Sequence, residues 1–256
     1  MTSSMTLTAL PGLPLVRPGD DLAGLIQAGL QAAGLGLENG DVLVVAQKVV
    51  SKVEGRAVNL AEVTPSDRAR ELARPGEKDP RVVEVILRES RRVVRAERGV
   101  LIVEHRLGFV CANAGVDHSN VSGEGEAGEW VLLLPEDPDA SARRLRQGLE
   151  SWSGKQLGVL IIDSHGRAWR MGTVGVAIGV SGFPALVDLR GRPDLYGYRL
   201  RITQVGLADE IAAAASALMG QADERRPVVH VRGLPYPLRE GSVVELLRPA
   251  SEDLFR

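Results

Sequence analysis

The sequence predicts a globular protein that mixes α-helices with buried β-strands. Two kinds of pattern along the chain support this prediction. Apolar runs of strand length occur at residues 41–50 and 159–162. Residues 22–33 and 211–219 instead carry leucines, isoleucines and alanines at helical spacing. Because 44% of the 256 residues are hydrophobic, the chain can bury a sizeable core.

Composition argues against several classes of function. The net charge of −2 gives no electrostatic case for binding nucleic acid or an acidic membrane, and the 4% aromatic content offers few stacking platforms for bases. A single cysteine rules out an internal disulfide and a cysteine-based metal cluster. No secretory signal and no apolar run of about 20 residues are present. We therefore expect a cytoplasmic protein without nucleic-acid or membrane partners.

The first third of the chain predicts strand, helix and strand. Pro11 and Pro14 interrupt a strand over residues 6–15, and Gly12 permits either a plain turn or a close approach to a ligand. Asp20 or Asp21 can cap the helix over residues 22–33. The buried strand over residues 41–50 then delivers Lys48 and Lys52 to one side, as solvated side chains or as partners for phosphate.

The middle of the chain predicts two helices and a hairpin. Prolines open helices over residues 64–72 and 81–90. The arginine-rich segment 88–95 is either an anion-binding patch or the charged end of a helix. Residues 99–104 and 108–111 then form a hairpin, in which Cys111 is a packing residue rather than a nucleophile.

The remaining elements follow in order. A strand at 130–135 precedes a helix over 142–149 that Pro138–Ser141 open, and glycines in the strand-like stretch 172–183 indicate close packing of the backbone against other backbone or against a ligand. Further strands are expected at 200–205 and 228–231, with a C-terminal tail that packs on the body.

Two aspartates that follow strands suggest a shared cation site. Asp117 lies beyond the hairpin, and Asp163 follows the apolar run 159–162. Further candidate oxygen ligands for Mg²⁺ or Mn²⁺ are Ser164, Gln204, Asp209 and Glu210, although acids in a helix's first turn commonly act as caps. Candidate anion partners are Lys48, Lys52, Arg167 and Arg170. A catalytic triad of Ser164, His165 and Asp163 can be drawn but is disfavoured because no nucleophile elbow is present.

No common nucleotide-binding fingerprint occurs. The chain lacks both G-x-x-x-x-G-K-[ST] and G-x-G-x-x-G, so any nucleotide is held in another way. From spacing alone, the candidate residues favour an enzyme that binds a metal ion and phosphate groups.

A series of motifs resembles the F420-0:gamma-glutamyl ligase family, also called the coenzyme F420:L-glutamate ligases. The matching blocks span nearly the whole chain in family order. They are L-P-G-L-P at 10–14, G-D-D-L at 19–22, D-V-L-V-V-A-Q-K-V-V-S-K-V-E-G-R at 41–56, R-E-S at 88–90, C-A-N-A-G-V-D-H-S-N-V at 111–121, L-P-E-D-P-D-A-S-A at 134–142, I-I-D-S-H-G-R-A-W-R at 161–170, V-A-I-G at 176–179, D-L-Y-G at 194–197 and T-Q-V-G-L-A-D-E-I-A-A-A-A at 203–215.

The resemblance implies an enzyme of coenzyme F420 biosynthesis. It would use GTP to add L-glutamate to coenzyme F420-0 through an acyl phosphate, and then further gamma-linked glutamates. The alternatives to such a ligase are a metal-dependent phosphohydrolase that uses the same carboxylates and a nucleotide- or deazaflavin-binding regulatory module. Two divalent ions, Mg²⁺ or Mn²⁺, are implied, with K⁺ as a further candidate ion. By motif, the residues expected to contact GTP are Leu10, Pro11, Gly12, Leu13, Gln47, Lys48, Lys52 and Asn120. The expected metal ligands are Asp117, Asp163, Ser164 and Gln204, and the expected catalytic residues are Asp117, Asp163, Lys48 and Lys52.

The resemblance also implies the architecture. The family fold is α+β, with mixed sheets, flanking helices and an intertwined homodimer in which the site can be shared. We expect one ligase domain over residues 1–256, which could divide into two subdomains, without the flavin-type C-terminal domain of some relatives. His165 stands where the family often has an aromatic residue, and Ser164 where it often has threonine, so contacts at these two positions can differ.

Overall fold

A five-stranded mixed sheet forms the centre of the structure, a computed structural model in which residues 4–73, 77–97, 99–119, 121 and 129–253 are described. Its strands, in spatial order, are β1 (Thr6–Ala9), β12 (Val228–Arg232), β2 (Val42–Ala46), β8 (Gly158–Arg167) and β9 (Arg170–Ser181). Strands β2 and β8 run parallel, and the other neighbouring strands run antiparallel. The ends of the parallel pair, at Ala46 and Ile162, are therefore side by side.

Both faces of this sheet are buried against helices, which explains its continuous apolar strands. Leu43 and Val45 face α1 (Leu22–Ala32) and α5 (Pro138–Ser153). Val42 and Val44 lie on the opposite face, in one core with α6 (Leu207–Met219). Asp21 caps α1 as predicted, accepting from the Gly24 amide, and prolines occupy the first turns of α4 and α5, whereas α3 begins at Asp67 rather than at the predicted Thr64.

A second sheet has its own core. Its strands, in order, are β4 (Ser90–Glu97), β5 (Val100–His105) and β6 (Val110–Ala112), backed by α3 (Asp67–Ala73) and α4 (Pro80–Arg88). Two strand pairs complete the sheets: β3 (Ala57–Asn59) with β7 (Trp130–Leu132), and β10 (Val187–Asp188) with β11 (Gln204–Val205). The 3₁₀ turns are Leu60–Glu62, Asn113–Gly115, Val243–Leu246 and Ala250–Glu252. Mixed sheets with flanking helices confirm the predicted α+β class.

The prediction of one strand over residues 41–50 is wrong. Strand β2 ends at Ala46, and α2 (Gln47–Val53) begins at the next residue. A short apolar run fits either state, and Val49 and Val53, four residues apart, pack on the core as one face of a helix. Lys48 and Lys52 therefore share a helix face rather than a strand end.

Other segments also differ from the sequence prediction. In segment 88–95, Arg88 does end a helix, but Ser90 starts the edge strand β4, whose arginines are exposed and whose Arg92 donates to Glu104 at 2.8 Å. Charged side chains are a common protection for a sheet edge. In the expected strand over residues 200–205, only Gln204–Val205 is extended. Across the described residues, no helix is long and apolar enough to cross a membrane.

Candidate active-site cleft

An open cleft of about 1470 Å³ lies where the parallel pairing of β2 and β8 ends, beside Ala46 and Ile162. Ligands bind α/β sheets preferentially at this edge, where strand ends and helix starts present polar groups. Five predicted site residues line the cleft together: Lys48, Lys52, Asp117, Asp163 and Ser164. Leu13 and Gln47, which resemblance assigns to GTP, line it as well.

Asp117 is held by both its backbone and its side chain. Its amide and carbonyl exchange hydrogen bonds with Leu132 of β7, at 3.0 and 2.8 Å. Lys48 Nζ lies 2.7 Å from Asp117 Oδ2 and donates to Ser119 Oγ at 2.5 Å. Burial favours a higher pKa for Asp117, but hydrogen bonds from Lys48 and Ser119 outweigh it and hold the pKa below the usual value. Asp117 is therefore an ionised carboxylate at neutral pH.

Lys52 lies one helical turn beyond Lys48 on α2. Burial, followed by the nearby charge of Lys48, lowers the pKa of Lys52 from its ordinary value of 10.5. Both causes disfavour the ammonium form, and a bound polyanion would favour it. The pair is suited to holding phosphate groups.

Asp163 is oriented by the imidazole of His165. The two side chains approach to 3.1 Å between Asp163 Oδ2 and His165 Nε2. The ring of Phe109 lies between His165 and His105, with centroids 5.6 and 5.1 Å away. This stack joins the two sheets, so Asp163 reaches the cleft from the five-stranded sheet while Asp117 follows the three-stranded one.

Ser164 does not join Asp163 and His165 in a triad. Its hydroxyl donates to Gln221 Oε1 at 2.9 Å, and Gln221 Nε2 donates in turn to Ser216 of α6 at 3.2 Å. Consecutive residues of a strand point to opposite faces, which separates Ser164 from its two neighbours. Cys111 is buried as predicted, and burial followed by the negative charge of Asp163 raises its pKa to about 12. Neither side chain is arranged as a nucleophile.

Other candidate ligands lie away from the cleft lining that the structure describes. Gln204 is exposed on β11, paired with Asp188, and Glu210 is exposed at the start of α6. Asp209 accepts from the Ala177 amide at 2.9 Å and so ties α6 to β9, and burial raises its pKa. Arg167 and Arg170 are exposed at the turn of the β8–β9 hairpin.

The N-terminal motif at residues 10–14, which resemblance assigns to GTP, lies only partly at the cleft. Leu10 is fully buried in the core, and its amide donates to the Val228 carbonyl. Pro11 is exposed, and Gly12 has a φ of +74° with open space where a side chain would begin. Asn120 lies outside the described residues.

The oxygen donors of the cleft fit a divalent cation that also binds phosphate. Asp117 and Asp163 supply carboxylates and Ser164 a hydroxyl, the hard donors that Mg²⁺ and Mn²⁺ prefer. The described residues contain no group of three His, Cys, Asp or Glu side chains that could hold an ion by themselves. Mg²⁺ is commonly bound by one or two carboxylates together with substrate phosphates, which is the arrangement these donors allow.

Sequence reasoning missed part of the cleft wall. Residues 220–227 line one side and include the consecutive arginines Arg225 and Arg226. The R-R-P sequence beyond the predicted helix was the available signal, although it is short. Trp130 also lines the cleft, and it had been assigned only to a strand.

Comparisons with known proteins agree with the motifs. The profile of the F420-0:gamma-glutamyl ligase family matches residues 12–233. A coenzyme F420:L-glutamate ligase from Methanothermobacter thermautotrophicus is 46% identical over 254 residues, covering 98% of this chain and 99% of that protein. The ligase of the same name from Methanopyrus kandleri is 51% identical over 245 residues, covering 94% and 93%. One from Archaeoglobus fulgidus is 46% identical over 245 residues, covering 96% and 94%.

Proposed function

The chain belongs to the F420-0:gamma-glutamyl ligase family, and we propose that it uses GTP to join L-glutamate to coenzyme F420-0 and then adds gamma-linked glutamates. The observation that carries this proposal is the convergence of two lysines and two aspartates in one cleft. Cations that hold phosphates and carboxylates that hold a metal ion are the parts that phosphoryl transfer requires.

The proposed reaction begins by activating a carboxylate. A free carboxylate is a poor acyl donor, so the γ-phosphoryl group of GTP is transferred to the carboxylate of F420-0, giving an acyl phosphate and GDP. The amine of glutamate then attacks the acyl carbon, and inorganic phosphate leaves with the C–O bond electrons. Lys48 and Lys52 hold the phosphates in line, and Gln47 lies beside them at the start of α2.

Asp117 and Asp163 would hold a divalent ion, with Ser164 as a further oxygen ligand. When bound, that ion would neutralise charge on the phosphate oxygens. The chain's part is to orient the ligands: Ser119 and Lys48 fix the Asp117 carboxylate, and His165 fixes that of Asp163. Gln204 lies in the exposed β10–β11 arm, so its contribution as a ligand would depend on assembly with a second chain.

We also propose a homodimer, because two projecting segments expose large apolar side chains. Trp169 and Met171 at the β8–β9 hairpin, and Leu195 and Tyr196 in the arm between β10 and β11, are almost fully exposed. Large exposed apolar side chains grouped in this way often mark surfaces that contact another chain. Sedimentation velocity tests the proposal: a dimer is expected, and a monomer at micromolar concentration would contradict it.

The activity is tested by mass spectrometry of F420-0 incubated with the protein, L-glutamate, GTP and Mn²⁺. Stepwise glutamyl mass additions that require GTP are expected. GDP release without any addition would indicate a phosphohydrolase, and binding without GTP consumption would indicate a regulatory module.

Variants of the two carboxylates sharpen this test. Asp117→Ala and Asp163→Ala should each abolish glutamyl transfer while leaving the circular dichroism spectrum unchanged. Asp67→Ala, at an exposed position in α3, is the matched control and should retain full activity. Full activity in either cleft variant would remove that residue from the proposed metal site.

A further inference from the structure

Two buried hydrogen-bond donors lie on residues of the cleft wall without an acceptor. They are the side-chain amide nitrogen of Gln47 and the indole nitrogen of Trp130, and no atom of the described residues accepts from either. The other end of the Gln47 amide is occupied, since its Oε1 accepts from Ser51 at 2.8 Å. A buried donor without an acceptor is destabilising, so an acceptor that enters the cleft would be favoured here.

The two donors belong to neighbouring elements. Gln47 is the first residue of α2, and Trp130 is the first residue of β7, which packs against α2. The cleft lining also includes small or apolar residues of these neighbouring segments, Gly55, Ala57 and Leu132. An aromatic side chain beside small residues leaves room for a flat ring to stack. The wall therefore combines a stacking surface with polar N–H groups.

The size of the cleft leaves room for more than a nucleotide. Ligand sites usually have volumes of about 300–1,000 Å³, and this cleft exceeds that range. Lys48 and Lys52 contribute charge from α2, while Gly55, Ala57, Trp130 and Leu132 contribute uncharged surface to the same cleft. A substrate ring, rather than a phosphate, matches the chemistry of this uncharged surface.

We propose that Trp130 is a ring-binding residue, which stacks on a flat heteroaromatic ring and donates its indole N–H to a carbonyl or ring-nitrogen acceptor of that ligand. The inference rests on the proposed function, which supplies two such rings, the guanine of GTP and the deazaflavin of F420-0. The side-chain amide of Gln47 would donate to the same ligand or to the second substrate bound beside it. Trp130 would then be a specificity-determining residue for the substrate whose ring it holds.

The test is isothermal titration calorimetry with GDP alone and with F420-0 alone. Trp130→Phe keeps an aromatic ring and removes the N–H, whereas Trp130→Leu removes both. Trp152→Phe, on the outer part of α5, is the matched control and should bind both ligands as the unmodified protein does. Circular dichroism and thermal unfolding check that the variants are folded.

For one of the two ligands, Trp130→Phe should weaken binding about fivefold, the factor for a single hydrogen bond, and Trp130→Leu about tenfold or more. The ligand that responds identifies the ring that Trp130 holds. Unchanged dissociation constants for both ligands in Trp130→Phe would overturn the inference, even if Trp130→Leu does not fold. In that case, if the unmodified enzyme still binds both ligands and joins glutamate to F420-0, the proposed function is unaffected. An unmodified enzyme that binds neither ring would overturn both.

Discussion

Replacing Gly175 by alanine tests how α6 is seated on the central sheet. The added methyl carbon would lie 2.5 Å from the Ala212 carbonyl oxygen and 2.6 Å from Ser216 Cβ. Both atoms belong to α6, and the first is backbone, which no rotamer change can move. Ordinary contact begins at 3.4 Å, so the helix must retreat by about 0.9 Å.

The cost of that retreat can be approximated. Extra methyl groups in a packed interior typically destabilise by about 1–3 kcal/mol. In a chain of this length, each kcal/mol lowers the midpoint of thermal unfolding by about 2–4 °C. A decrease of about 2–12 °C is therefore expected for Gly175→Ala. Gly166→Ala is the matched control, because it lies in the same hairpin and its methyl group would meet no atom within 4 Å.

Comparison with Gly166→Ala also cancels an effect on the unfolded chain that both substitutions share. Replacing glycine by alanine restricts the unfolded chain and stabilises by about 0.4–1 kcal/mol at either position. Differential scanning calorimetry of both variants isolates the clash as their difference in midpoint. If Gly175→Ala unfolds at or above the midpoint of Gly166→Ala, the close packing of β9 against α6 is refuted. The same variant should weaken Mn²⁺ binding, since Ser216 connects α6 through Gln221 to Ser164.

Three further predictions concern titration and reactivity. Burial favours a higher pKa for Asp41, but hydrogen bonds from Arg232 outweigh it and hold the pKa below its usual value of 3.8. The ionised carboxylate therefore stabilises the folded protein fully above pH 3.8, and this stabilisation is lost as the pH falls through the lower pKa of the folded state. Asp41→Asn should thus destabilise by about 3 kcal/mol at neutral pH in urea unfolding, and the difference from the unmodified protein should shrink in acid; a constant difference would contradict the assignment. Because burial raises the pKa of Cys111 to about 12, its thiol should react with a disulfide reagent at neutral pH only after unfolding, and immediate reaction in the folded protein would be inconsistent with its burial. Because the pKa of Lys52 is lowered from 10.5, its ammonium group should lose its proton below that pH, and the affinity for GDP should decrease as the pH rises. Lys52→Arg, which stays charged, should remove this decrease. An unchanged decrease in that variant would exclude Lys52 as its cause.

The strand ends were the most informative part of the sequence. Lys48 follows the apolar run that forms β2, and Asp163 follows the apolar first half of β8, which continues to Arg167 rather than ending at Ile162 as predicted. Because the parallel pairing of the two strands ends at Ala46 and Ile162, the residues beyond it still meet in one cleft. The wrong prediction of a strand at Lys48 did not affect the candidate site, because residues four apart, such as Lys48 and Lys52, lie on the same side of a helix and of a strand. The glycines of residues 172–183 were equally informative, because a side chain at Gly175 or Gly179 would meet backbone atoms at 2.5 Å.

Local patterns were less informative where distant segments decide the outcome. Residues 90–97 form a strand that pairs with β5, and Glu104 accepts from Arg92, and the local charge pattern indicates neither pairing. Ser164 meets Gln221 from a loop 57 residues away. These pairings are set by tertiary packing, which overrides local propensity.

The acids at the start of α6 illustrate the same limit within the candidate site. Asp209 and Glu210 carry the residue type and family motif of a metal ligand, yet an acid in the first turn of a helix is also a common cap. The structure gives Asp209 a third role, in which one carboxylate oxygen accepts from the backbone of β9. Burial raises its pKa, which disfavours the ionised form that a metal ligand needs. Asp117, by contrast, has a lowered pKa and lies in the cleft beside Lys48. The sequence motifs do not distinguish Asp117 from Asp209. The groups around each carboxylate do, because they make Asp209 a link between α6 and β9 and Asp117 a candidate metal ligand.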